Sequence, residues 1–152
     1  MSAVLSIGSN VGDRMAFLRL AVDVLEPETV SPVYESDPVG GVAQADFLNA
    51  VLLCDLDGVQ AWERAQRAEQ LAARERVVRW GPRTLDVDVV VADPPLPPEL
   101  VVPHPHAASR AFVLVPWADA DPDAELPGVG RVVDLLDGVD ASGLRRVEEL
   151  LR

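Results

Sequence analysis

The sequence contains no lysine: all thirteen basic residues are arginine. It has one cysteine, Cys54, so an intramolecular disulfide and a thiolate metal cluster are both excluded. Cys54 lies in an apolar run and reads as a core residue. No apolar stretch approaches the roughly twenty residues needed to span a bilayer. No charged-then-apolar signal opens the chain. The cytoplasm is therefore the expected compartment, with no membrane partner. Positive charge is also scarce: 13 basic residues against 25 acidic ones give a formal net charge of −12. That balance argues against a general nucleic-acid or anionic-membrane binder.

At 152 residues the chain is expected to form a single domain, residues 1–152. A chain of that size buries roughly two-thirds of its unfolded surface. Hydrophobic content of 49% with 25% charged residues is ordinary for a globular protein. The placement of the arginines is less ordinary. Six fall between positions 64 and 83: Arg64, Arg67, Arg74, Arg76, Arg79 and Arg83. One local cationic segment in an acidic chain suits phosphate handling. Glu63, Glu69 and Glu75 are interleaved, so a salt-bridged helix face is the competing reading.

Along the chain, Ala3 to Ile7 reads as a strand, broken at Gly8-Ser9-Asn10. Asp13 is placed to cap a helix whose apolar positions are Met15, Leu18, Val22 and Leu25, stopped by Pro27. The Gly8 to Arg14 turn lacks the ending of a P-loop and the spacing of a dinucleotide fingerprint, and reads as a capped structural turn. Val30 to Glu35 reads as a strand with an edge or bulge at Pro32, and Ser36 to Asp46 as a loop. Phe47 to Cys54 alternates as a strand, with Leu48, Ala50 and Leu52 on one face and Phe47, Asn49 and Val51 on the other. Asp57 and Gln60 form a capping-box start to a helix ending near Ala73 that buries Trp62, Ala65, Ala68, Leu71 and Ala72. Gly81-Pro82 is a turn, and Leu85 to Val91 a strand. The order β-α-β-β-α-β predicts an α+β fold with a ferredoxin-like core: an antiparallel sheet, two helices on one face, the other face free for a site. A proline-rich connector follows. Helices are then predicted over Arg110 to about Asp119, Arg131 to Leu136 and Leu144 to Leu151, as a helical and irregular C-terminal extension.

Asp86 and Asp88, two apart on a strand, project side by side with their Cα atoms roughly 6.6 Å apart. A hard divalent cation relieves such repulsion, and Mg²⁺ is usually held by one or two carboxylates plus substrate phosphates. Phe47 and Phe112 could sandwich a flat heterocycle, and Asn49 offers that ring's edge a donor and an acceptor. His104, fixed between two prolines, and Arg110 are credible phosphate or ligand contacts. These residues alone leave open a Mg²⁺-dependent nucleotide hydrolase or nucleotidyltransferase and a non-catalytic ligand-binding or regulatory domain.

Four blocks together resemble the 6-hydroxymethyl-7,8-dihydropterin pyrophosphokinase family of folate biosynthesis. They are Gly8-Ser9-Asn10-Val11-Gly12-Asp13-Arg14, Gln44-Ala45-Asp46-Phe47-Leu48-Asn49-Ala50, Arg79 to Asp88, and Val102-Pro103-His104-Pro105 with Arg110 and Phe112. The resemblance implies transfer of the β,γ-pyrophosphoryl group of ATP to the hydroxymethyl oxygen of the pterin, leaving AMP. It implies that Asp86 and Asp88 hold two Mg²⁺ ions. Phe47, Asn49 and Phe112 would bind the pterin, with Ser36, Val39 and Gly40 beside them. Gln66, Arg74, Arg76, Trp80, Arg83, His104 and Arg110 would contact ATP, with Arg74 and Arg83 also catalytic. The expected state is a monomer that could associate with neighbouring folate enzymes. The chain departs from the family pattern in a segment from Arg74 to Trp80 one residue shorter, in Ala73 where glycine is common, and in Pro105 and His106.

Overall fold

The computed structural model describes residues 1–37, 46–73 and 84–152. Val39, Gly40, Arg74, Arg76, Trp80 and Arg83 lie outside them. The described elements are, in order, β1 (Ala3–Ser9), α1 (Arg14–Leu25), β2 (Thr29–Val30), β3 (Tyr34–Ser36), β4 (Phe47–Cys54), α2 (Gly58–Ala73), β5 (Asp86–Ala92), α3 (Ala111–Ala120), β6 (Glu125–Leu126), β7 (Gly130–Arg131), α4 (Val132–Leu135) and β8 (Leu144–Arg146). Among the described residues the fold is mixed, with four α-helices and an antiparallel main sheet. The strand order is β5-β1-β4-β3-β8, and β2 also pairs with β4.

Local chemistry accounts for most boundaries. The Asp13 carboxylate accepts the Ala16 N–H at 3.1 Å, capping α1. At its other end Glu26 turns left-handed at φ 49° and donates to the Val22 carbonyl, and Pro27 follows. The predicted capping box of α2 is present in both directions: Asp57 N–H donates to Gln60 Oε1 at 3.0 Å, and Gln60 N–H to Asp57 Oδ1 at 2.8 Å. The single strand expected over Val30 to Glu35 is divided instead. Proline cannot donate to a ladder, and Pro32 falls in the gap between β2 and β3, both of which pair with β4.

The alternation on β4 and β5 sorts residues as its period requires. Leu48, Ala50 and Leu52 join Val87, Val89, Leu5 and Ile7 in a core beneath α1 and α2. In that core α2 buries Ala61, Ala65, Ala68 and Ala72, whereas Trp62 and Leu71, expected inside, are only half-buried. Small side chains let α2 approach the sheet and α1 closely, so the larger ones fall to its flanks.

The second face is not left free. Val51 and Val90 pack with Val113, Leu114, Trp117, Leu126 and Val132 in a separate core beneath α3. Trp117 is 2% and Leu114 0% exposed. Full burial of one such aliphatic side chain contributes about 1.5–3 kcal/mol. The face is therefore divided along the strands, one half under α3 and the other open. The C-terminus also differs from expectation. Residues 144–146 form a strand rather than a helix, pairing antiparallel with β3 through Tyr34↔Arg146, Glu35↔Arg145 and Ser36↔Leu144. Backbone hydrogen bonding to an otherwise open sheet edge outweighs the helical pattern of this segment.

Candidate active site

The open half of the second face is the floor of a cavity of about 810 Å³. Four strands set its geometry. Gly8 on β1 stands opposite Asp86 of β5 on one side and Asn49 of β4 on the other; Asn49 in turn stands opposite Tyr34 of β3. Directly paired residues share a face, so Asp86, Gly8 and Asn49 form one row. With strands roughly 4.8 Å apart, the outer two are separated by about 10 Å across a glycine. A Cβ at Gly8 would come within 3.3 Å of Asn49 Oδ1 and 3.6 Å of Phe47 Cδ1. The missing side chain thus makes the trough. In the next row Asp88 pairs with Ser6, which also lines the cavity.

One end of the trough is amide and aromatic. Phe47 and Phe112 both line it. Asn49, 3% exposed, donates from Nδ2 to Ser36 Oγ at 2.8 Å and to the Tyr34 carbonyl at 3.2 Å. The sequence suggested both a donor and an acceptor for a ligand. The fold spends the donors on β3 and aims Oδ1 toward Gly8. Arg110, just ahead of α3, holds its guanidinium carbon 5.6 Å from the Phe112 ring centroid. Both residues line the cavity, so a cation and an aromatic face are presented together.

The other end is acidic. Asp86 and Asp88 are half-buried and both line the cavity. Glu69 of α2 accepts the N–H of the intervening Val87 at 2.9 Å, which fixes the strand edge that carries them. Two carboxylates facing an open space large enough for phosphates fit the usual Mg²⁺ arrangement. Among the described residues no group of three or more His, Cys, Asp or Glu gathers to hold a metal ion by itself. His104 lies outside the lining, with its ring centroid 5.9 Å from that of His106, which is part of it. Burial pushes the His104 pKa below the ordinary histidine value; the charge of Asp88 pulls the other way. Gln66 is exposed on α2, also outside the lining.

Of the described site residues expected from sequence, the cavity gathers Ser36, Phe47, Asn49, Asp86, Asp88, Arg110 and Phe112. It adds Gly8, Asp37, His106, Ser109, Asp140, Gly143 and Leu144 among others. Gly8 was within reach of strand alternation had β1 been extended past Ile7. The C-terminal residues carried no local signal, because they reach the cavity only through the pairing of β8 with β3.

Comparison with known proteins bears on the family and the fold. A family profile described as 7,8-dihydro-6-hydroxymethylpterin-pyrophosphokinase matches residues 4–122. A Mycobacterium tuberculosis protein named 2-amino-4-hydroxy-6-hydroxymethyldihydropteridine pyrophosphokinase is 46% identical, over 93% of this chain and 87% of its own length. A Pseudomonas aeruginosa protein of the same name is 39% identical, over 93% and 94%. Among solved structures, a Plasmodium falciparum HPPK-DHPS triple mutant superposes with a TM-score of 0.67 at 14% identity. It covers 90% of this chain, which spans only 44% of that one, and the likeness is one of fold.

Proposed function

This chain belongs to the 7,8-dihydro-6-hydroxymethylpterin-pyrophosphokinase family, and on that premise we propose that it transfers the β,γ-pyrophosphoryl group of ATP to 6-hydroxymethyl-7,8-dihydropterin. The products are AMP and the dihydropterin pyrophosphate, in folate biosynthesis. The observation that carries the site assignment is the row Asp86–Gly8–Asn49. It sets an acidic end and an amide-aromatic end on one floor, separated by a trough without side chains.

In this reading Phe47 and Phe112 stack on the pterin and Asn49 Oδ1 accepts from its polar edge. Ser36 holds that amide in orientation through the 2.8 Å bond. The pterin alcohol is then directed along the floor past Gly8, toward phosphates held at the acidic end. Its oxygen attacks the β-phosphorus and gives up the hydroxyl proton to solvent, while the bond from the β-phosphorus to the oxygen it shares with the α-phosphate breaks to release AMP. Asp86 and Asp88 would hold two Mg²⁺ ions, which supply charge neutralisation and orientation to the phosphates. Arg110 and His104 contact ATP from the α3 side. Gln66, Arg74, Arg76, Trp80 and Arg83 enter the ATP side, and Val39 and Gly40 the pterin side, through the family resemblance alone. The proposal takes residues 1–152 as one domain and reads β1-α1-β3-β4-α2-β5 as a ferredoxin-like core carrying a C-terminal extension. It places the enzyme in the cytoplasm as a monomer able to associate with other folate enzymes.

The test is to incubate the protein with ATP, Mg²⁺ and the hydroxymethyl dihydropterin and follow the nucleotides. Pterin-dependent AMP is the expected product. ADP, or hydrolysis independent of pterin, would indicate a nucleotide hydrolase instead.

A further inference from the structure

The C-terminal strand does more than extend the sheet. Arg145 of β8 stands directly opposite Glu35 of β3, and its guanidinium forks among three carboxylates. Nη2 lies 2.9 Å from Asp46 Oδ2 and 3.4 Å from Glu35 Oε1, and Nη1 lies 3.2 Å from Asp37 Oδ1. Asp37 is the residue after β3, and Asp46 the residue before β4. One side chain therefore ties together the two points where these strands end at the cavity. Arg14, at the start of α1, closes the network from the other side. Its Nη1 lies 2.8 Å from Glu35 Oε2 and donates to the Asp46 carbonyl at 2.8 Å. The paired arginines hold the Glu35 carboxyl below the usual carboxylate range, with the Arg14 hydrogen bond as the largest cause.

Asp37 itself lines the cavity, and the neighbours of the other anchors face it. Ser36 lies between Glu35 and Asp37, Phe47 follows Asp46, and Ser36 and Phe47 are paired in register. Leu144, next to Arg145, pairs with Ser36 and lines the cavity too. We propose that Arg145 is a positioning residue for the pterin side of the cleft, fixing the cleft ends of β3 and β4 so that Ser36, Phe47 and Asn49 hold their relative places. The inference rests on the reading of those three residues as the pterin wall. Arg145 touches no reacting group. It acts from the opposite face of the sheet, through the backbone of the residues it anchors.

The experiment compares Arg145→Ala, Arg145→Lys, Asn49→Ala and a control, Arg19→Ala, which with its exposed partner Glu149 lies outside the cavity lining. Calorimetric affinities for the hydroxymethyl dihydropterin and for ATP are measured with KM and kcat. Three exposed pairs acting together predict a roughly three- to tenfold loss of pterin affinity in Arg145→Ala. ATP affinity and kcat should stay within about twofold, since only the pterin wall is displaced. Lysine, a single point charge, cannot fork, so Arg145→Lys should fall between wild type and alanine. Because exposed pairs are screened by salt, wild-type pterin affinity should drop with added salt toward that of Arg145→Ala. Arg19→Ala should match wild type. Unchanged pterin affinity in Arg145→Ala, alongside a loss in Asn49→Ala, overturns the inference and leaves the site reading standing. No loss in Asn49→Ala overturns both. Equal losses for ATP and pterin in Arg145→Ala would mean a general structural role and also overturn it.

Discussion

Ser36→Ala tests the candidate site through one hydrogen bond. Ser36 is 8% and Asn49 3% exposed, and the bond between them is 2.8 Å. The asparagine Nδ2 carries two hydrogens, and its other bond, to the Tyr34 carbonyl, is longer at 3.2 Å. Removing Oγ orphans one donor at a nearly dry position, which costs about 1–3 kcal/mol. The adjoining cavity lets a water reach the amide, so the lower end of that range, about 1 kcal/mol, is the expected loss of stability. The amide is then held by one bond instead of two and is free to swivel, taking Oδ1 away from the trough. If Oδ1 accepts from the pterin, a further loss of about 1 kcal/mol in binding corresponds to roughly fivefold weaker affinity. Urea denaturation gives the first quantity and calorimetric titration with the pterin the second, with ATP affinity as an internal control. A double-mutant cycle with Asn49→Ala should return a coupling of about 1 kcal/mol. Unchanged pterin affinity with an intact fold would refute the idea that Ser36 orients Asn49 for the ligand.

Two further outcomes follow from single contacts. Asp88→Ala should lower AMP production on the order of a thousandfold while the thermal midpoint stays near wild type, because the side chain faces the cavity and not a core. In the same variant the His104 pKa, followed by NMR titration, should fall further, since the charge that raises it is gone. Near-normal turnover would refute the metal assignment. Tyr34 donates to Asp119 across the gap between β3 and α3. Burial first, then that hydrogen bond and charge, push its phenol up to about 12. A raised pKa contributes stability that is complete below the ordinary tyrosine value of about 10 and is lost as pH rises toward 12. Denaturation midpoints of wild type and Tyr34→Phe should therefore converge across that window. A gap that stays constant with pH would refute the linkage.

The sequence showed most of this where the signal was local. The reciprocal cap at Asp57 and Gln60, the Asp13 cap and the two-residue period of β4 each depend on neighbours a few positions away. Period alone placed Asn49, Phe47, Asp86 and Asp88 on the face opposite α1 and α2. It could not say that α3 would cover half of that face, because Val51 and Val90 look the same whether they meet solvent or Trp117. Nor could it find β8. Residues 144–146 are short and charged, and their strand character comes from an edge more than a hundred positions earlier in the chain. Leu144 was invisible as a site residue, and Arg145 as a positioning residue, for that reason. His104 and His106 show a subtler limit. Both follow prolines, and only the three-dimensional path decides which of them faces the cavity.

The divided second face has a thermodynamic consequence. Asn49 and Val51 are two apart on β4, as are Asp88 and Val90 on β5, so each strand passes from ligand floor to packed interior within one pleat. Phe112 and Trp117 make the same passage along α3. No separate scaffold stands between the place where a substrate binds and the smaller core. A ligand that packs against Phe112 in the trough binds the folded arrangement with α3 in place. By mass action its occupancy stabilises that arrangement, in proportion to the logarithm of ligand concentration over its dissociation constant once that ratio is large.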